Sequence, residues 1–195
     1  MLQARNYEFS SFITDIQIVF SSTTNGLSRA EGIRKHLCRL MTVPDWLETK
    51  LNLPASGGFG STDLYVDDEY GHPDSGFLIM CSVMRPGQGQ TPAPHDHGAS
   101  WVVYGVYRGT IEQRTFRWVY PGEPTETSPV LEQTGSFEQR EGEAAYFLPG
   151  EIHSPRNVLD ERAIVLRIEA QKLAGVWRHR YGQDSTSLEA FRSGP

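Results

Sequence analysis

The chain has 195 residues, enough for one ordinary domain with a sizeable apolar core. Lys and Arg total 18 against 24 Asp and Glu, and the net charge of −6 is spread without long runs. No basic stripe therefore invites a nucleic-acid backbone, and no apolar stretch approaches a membrane span. The opening Met1-Leu-Gln-Ala-Arg-Asn-Tyr-Glu8 has no basic region followed by an apolar core. The two cysteines, Cys38 and Cys81, then read as buried thiols of a cytoplasmic protein and not as a disulfide framework.

Residues 1–53 read as helical. Phe9, Phe12, Ile13, Ile16 and Phe20 keep the spacing of one apolar helix face, and Ser22-Ser-Thr-Thr-Asn-Gly26 breaks it. Ser28-Arg-Ala-Glu31 has the form of a capping box opening a second helix, with Ile33, Leu37, Leu40 and Met41 on one side. Pro44 and Asp45 suit the first turn of a short third helix carrying Trp46, Leu47 and Leu51.

Beyond Pro54 the period changes to short runs of β-branched and aromatic residues between Gly, Pro, Asn and Asp. Strands are expected near Leu64–Val66, Phe77–Met84, Trp101–Tyr107, Thr110–Val119, Val130–Thr134, Ala144–Phe147, Ser154–Val158, Ala163–Ala170 and Val176–Arg180. Arg108-Gly109 signals a tight hairpin, and residues 184–195 read as a loose tail. Helices first and a β block over 60–182 argue a β-barrel or sandwich with a helical annex.

Chemistry concentrates in three histidines. His95 and His97 lie in Thr91-Pro-Ala-Pro-His-Asp-His-Gly98, and His153 lies in Leu148-Pro-Gly-Glu-Ile-His-Ser-Pro-Arg-Asn157. On extended backbone residues i and i+2 share a face, so the first two imidazoles point the same way. A third imidazole from a distant strand would complete half of a coordination sphere and leave the other half open. Oxygen-activating iron and hydrolytic zinc chemistry both need such an open site. His36, between charged neighbours on the second helix, His72, in a Gly-His-Pro-Asp turn, and His179 read instead as surface or satisfied residues.

Gly89 through Gly109, with its His-x-His pair, resembles the first cupin motif. Gly142 through Asn157, with Pro149-Gly150 and His153, resembles the second. The resemblance implies a mainly β single domain, a cupin double-stranded β-helix (jelly-roll) barrel with an N-terminal helical annex. More narrowly, Phe77-Leu-Ile-Met-Cys-Ser82, the His-Asp-His run, Trp101 to Gly109 and the preceding helices resemble the cysteine dioxygenase-like, small-molecule thiol dioxygenase branch. Many cupins add a glutamate ligand about four residues after the second histidine, whereas Gly98-Ala-Ser-Trp-Val102 offers no carboxylate. Asp96 should face the opposite side of the strand. The implied ligand set is thus three neutral imidazoles, which leave the charge of Fe(II) intact to attract a thiolate. Ni(II), Mn(II) and Zn(II) accept the same ligands.

The chain departs from that branch on a late strand. Where thiol dioxygenases carry Ser-x-His-x-Tyr, Val165, Arg167 and Glu169 stand here. Val102 takes the place of a crosslinking cysteine. Thr62 and Asp63 stand where an arginine would hold a substrate carboxylate, which argues against cysteine itself as substrate. Arg167 and Glu169 share a strand face. Facing solvent they would be an ordinary ion pair; facing inward, Arg167 could clamp a carboxylate with Glu169 orienting it. Tyr104, on the face of Val102, is a further candidate for lining the cavity, or for plain core packing. The leading expectation is an Fe(II)-dependent dioxygenase that converts a small thiol and dioxygen to a sulfinate. The alternatives are a cupin dioxygenase cleaving a carbon–carbon bond of a diketone or hydroxyketone, and a non-enzymatic cupin sensor.

Overall fold

Among the described residues two helices precede ten strands: α1 (Phe9–Ser22), α2 (Gly26–Met41), β1 (Ser61–Val66), β2 (Leu78–Met84), β3 (Val102–Arg108), β4 (Thr110–Val119), β5 (Val130–Arg140), β6 (Ala144–Phe147), β7 (Ile152–Asn157), β8 (Ala163–Glu169), β9 (Arg178–Tyr181) and β10 (Leu188–Phe191). The computed structural model describes residues 7–48, 50–51, 61–70, 76–90, 93–119, 130–170, 173, 176–181 and 188–191. His72 and the boundary near residues 53–60 lie outside them. Among the described residues no helix is long and apolar enough to cross a membrane.

The helices form where the apolar spacing places them. Phe9, Phe12 and Ile16 of α1 are buried, as are Ile33, Leu37, Leu40 and Met41 of α2. Two local expectations are corrected. The second helix is capped by Asn25, whose side chain accepts from the Ser28 backbone N–H at 2.9 Å. The Ser28–Glu31 box therefore lies inside the first turn and does not open the helix. Among the described residues the third helix is absent: residues 42–48 form turns and a bend, and Asp45 takes φ 53°, a left-handed conformation no α-helix can pass through. Arg29 is buried and donates to the Thr23 and Phe20 carbonyls at 2.6 and 3.0 Å, satisfying the open end of α1.

Among the described residues the strands build two larger antiparallel sheets, ordered β1-β2-β8-β3-β6 and β5-β4-β7, and a two-stranded one, β10-β9. The extended segment Ala93–His97 continues the second sheet. It bridges β7 through paired His95–His153 backbone bonds of 2.9 and 3.0 Å, and its other edge bridges β9 at Arg180. The result is an eight-stranded double-sheet jelly roll, the double-stranded β-helix, with β1, β9 and β10 added at its edges. β5 runs past the expected end at Thr134 because Gly135 marks a bulge, where the pairing shifts between Thr115 and Phe116, and not a break. The tail is likewise corrected: β10 pairs with β9 in register Leu188↔Tyr181 to Phe191↔Arg178.

Alternation on the five-stranded sheet sorts its side chains onto two faces. Ile79, Cys81, Val83, Val103, Tyr107, Ile164, Leu166 and Ile168 pack with the two helices into the larger core. Val102, Tyr104, Val106, Phe147 and Val165 face the opposite way, into the barrel. Gly105 lets α2 sit close, since a Cβ there would lie 2.7 Å from Leu37 Cδ2 and 2.8 Å from Met41 Sδ.

Candidate metal centre

Directly opposed residues of an antiparallel pair project to the same side. The His95–His153 bridge therefore sets those two imidazoles side by side, with ring centroids 4.7 Å apart. His97, two residues along, joins them at 5.2 Å from each. One ring nitrogen from each of the three lies within 4.8 Å of the others. Asp96 points away, as alternation requires. Its carboxylate accepts from the Gly98 and His179 backbone N–H groups and from His179 Nδ1 at 2.9, 3.0 and 2.8 Å. That bond also settles His179 as a satisfied residue, and His36 is engaged by Asp15 at 3.0 Å.

The tautomers follow from hydrogen-bond bookkeeping. The backbone carbonyls of Tyr104 and Glu143 can only accept, and Gln139 Nε2 donates to them at 2.7 and 3.1 Å. Gln139 Oε1 must then accept from Gln113 Nε2, at 3.3 Å. Gln113 Oε1 in turn accepts from His153 Nδ1, at 3.0 Å. His153 thus keeps its proton on Nδ1 and turns the lone pair of Nε2 inward. His95 Nδ1 donates to the Ala93 carbonyl at 3.1 Å with the same effect. Orientation of this kind is what the outer groups of a metal site supply.

The three residues fit a metal ion. His97 Nε2 and His153 Nε2 stand 3.0 Å apart. Two nitrogens each about 2.1 Å from one ion, and at right angles about it, are separated by about 3.0 Å. Burial first, and then the neighbouring positive groups, holds all three imidazoles below the ordinary histidine range, with His97 and His153 well below it. They are neutral, as ligands must be. Among the described residues no carboxylate joins the set.

The remaining candidates lie on the inner face. Arg167 pairs in register with Tyr104 on one side and Met80 on the other. Its guanidinium donates to Glu169 and contacts Met80 Sδ at 3.2 Å. Glu169 is 3% exposed and also accepts from Tyr70. The Tyr104 and Phe147 rings lie 5.3 and 3.8 Å from that of His153. A cavity of about 560 Å³ opens beside the histidines, lined by His95, Ser154, Arg167, Arg178 and Arg180 among others. Val165 and Val102 are buried apolar packing of the barrel interior.

Sequence reasoning missed Gln113, Gln139, Arg178 and Arg180. The glutamines carry no distinctive spacing. The arginines do: Arg178-His-Arg180 is a period-two pair like His95-Asp-His97, and its shared face was legible.

No family model matches the chain, and comparison with curated proteins finds no sequence relative. Solved structures do resemble it. An uncharacterized conserved protein with a double-stranded beta-helix domain from Klebsiella pneumoniae is 12% identical over 74% of this chain and 87% of that one, with a TM-score of 0.43. A protein from Thermus thermophilus is 21% identical over 64% and 93%, at 0.42. An oxalate oxidase in complex with the substrate analogue glycolate is 20% identical over 63% and 56%, at 0.40.

Proposed function

We propose that the chain is a mononuclear non-heme dioxygenase that uses ferrous iron to oxidise a small carboxylated thiol to its sulfinate. The observation that carries this reading is a set of three neutral imidazoles, joined by no carboxylate among the described residues, one of which, His95, lines a cavity together with Arg167. Thiolate and dioxygen combine to a sulfinate with both oxygen atoms on sulfur, and the thiol proton is released. When bound by His95, His97 and His153, the ion supplies adjacent open positions and an undiminished positive charge that favours a thiolate.

The chain's own groups do the positioning. Arg167 grips the substrate carboxylate, and Glu169, held by Tyr70, fixes the plane of the guanidinium. Tyr104 is the cross-strand partner of Arg167, so it stands where a polar group can meet the bound acid. The Phe147 and Tyr104 rings pack against His153 and keep water from the inner side of the histidines. Cys81 takes no part: it is buried on the helix side of the sheet, and burial pushes its thiol up to about 12.

The test is anaerobic loading with ferrous iron followed by oxygen uptake with a panel of thiols and diketones. Uptake only with reduced iron and a carboxylated thiol, with sulfinate as product, is the expected result. Uptake with diketones and none with thiols would move the assignment to carbon–carbon cleavage. Tight metabolite binding without turnover would move it to a sensor.

A further inference from the structure

A second cavity, of about 590 Å³, is lined by Phe116, Trp118, Phe137, Tyr146, Phe147 and Ile152 among others. The lining changes at His153. Glu151 and Ile152 belong to this cavity, whereas Ser154 and Pro155 belong to the one that holds Arg167. The two cavities therefore flank the histidine along its strand. The polar groups of the second lining are already engaged. The Thr115 and Thr134 hydroxyls meet at 2.9 Å, Arg117 pairs with Glu132 at 2.7 Å, and Glu151 accepts from the Leu148 backbone N–H at 2.7 Å. What remains to meet a ligand is aromatic, and Phe137 stays 42% exposed.

Phe147 belongs to both sides. It lines the second cavity, and its ring stacks on that of His153 with centroids 3.8 Å apart and planes 26° from parallel. It is the last residue of β6, a four-residue strand whose one sheet neighbour among the described residues is β3. A ring at the end of a short edge strand can shift without breaking the sheet. An anionic substrate crossing so apolar a lining would be desolvated without a partner. Dioxygen is uncharged and apolar, so the same lining favours it over water. This side also stays open when a substrate fills the Arg167 side. We infer that the second cavity is the route by which dioxygen reaches the histidines, with Phe147 as its gate. The inference rests on reading the chain as a dioxygenase, and it gives the two reactants separate entrances.

The experiment has two readouts. Crystals of the full chain pressurised with xenon, an apolar probe that needs no metal, should show it among Phe116, Phe137 and Phe147. In stopped flow, nitric oxide stands in for dioxygen and binds the ferrous protein without turnover. Thr134→Trp fills the cavity from an exposed position and should slow that binding about fivefold or more. Phe147→Leu removes the ring and should speed it about threefold or more. Metal content and the KM for thioglycolate should stay within about twofold in Thr134→Trp, which a general distortion of the barrel would not allow. Should Phe147→Leu fold poorly, the tryptophan variant and the xenon site still decide. No xenon in the cavity, or a wild-type nitric oxide rate in Thr134→Trp, overturns the route. A wild-type rate in a folded Phe147→Leu overturns the gate. Xenon in the cavity and slowed nitric oxide with no thiol oxidised uphold the route and remove the thiol chemistry. Sulfinate formed with wild-type nitric oxide rates in both variants does the reverse.

Discussion

An imidazole is a dependable ligand only when something decides which of its nitrogens keeps the proton. For His153 that decision is made at a distance, by the Tyr104 and Glu143 carbonyls acting through Gln139 and Gln113. Gln113→Leu should therefore lower metal affinity about 10- to 100-fold while the chain stays folded, read by competition with a chelator. Gln113→Glu keeps an acceptor on the same nitrogen and should retain the metal. Wild-type affinity in the leucine variant would show that packing alone orients His153. Arg167 is a second decision at this scale. Arg167→Lys keeps the charge but loses the planar fork, so the apparent KM for a carboxylated thiol should rise about tenfold. Uncharged thiols should change little and metal content not at all. Identical kinetics for both kinds of substrate would exclude a carboxylate clamp.

At the scale of elements, what the sequence announced was what periodicity can announce. The faces of α1 and α2 and the bounds of β4 and β6 agree with apolar spacing because burial imposes that spacing. The His95/His97 pair was legible for the same reason, since alternation is a backbone property. The failures came where contacts distant in sequence decide. Nothing local says that Leu188–Phe191 will meet the free edge of β9, or that Gln113 will find His153 across β4 and β7. Asp45 escapes the helix through a single dihedral angle that propensity does not foresee. The link between the histidine segment and β9 gives a prediction of its own. Gly98 has φ 60°, and a Cβ there would lie 2.0 Å from the Trp177 carbonyl oxygen. Gly98→Ala must both strain the backbone and push β9 away, costing about 2 kcal/mol or more in urea denaturation. Gly142 has φ 84° with nothing within 4 Å, so Gly142→Ala should cost about 1 kcal/mol, the backbone part alone. Equal losses in the two variants would mean that the Trp177 contact yields freely.

Over the whole molecule the histidine cluster and the main core are separate structures. The larger core joins α1 and α2 to the outer face of the five-stranded sheet, through Phe12, Ile16, Leu37, Ile79, Leu166 and Ile168 among others. The histidines sit on the other side of that sheet, against Tyr104 and Phe147. Removing an ion bound there would therefore remove a ligand, not a nucleus of folding. By mass action a site filled at a hundred times its dissociation constant contributes about 2.7 kcal/mol. For a chain of this size that amounts to about 5–10 °C in Tm. Chelation should lower Tm by that amount and leave the far-ultraviolet circular dichroism unchanged. His153→Ala should melt near the chelated wild type and gain nothing when metal is restored. Loss of secondary structure on chelation would mean that the ion holds the two sheets together, and that the helix-side core cannot sustain the barrel by itself.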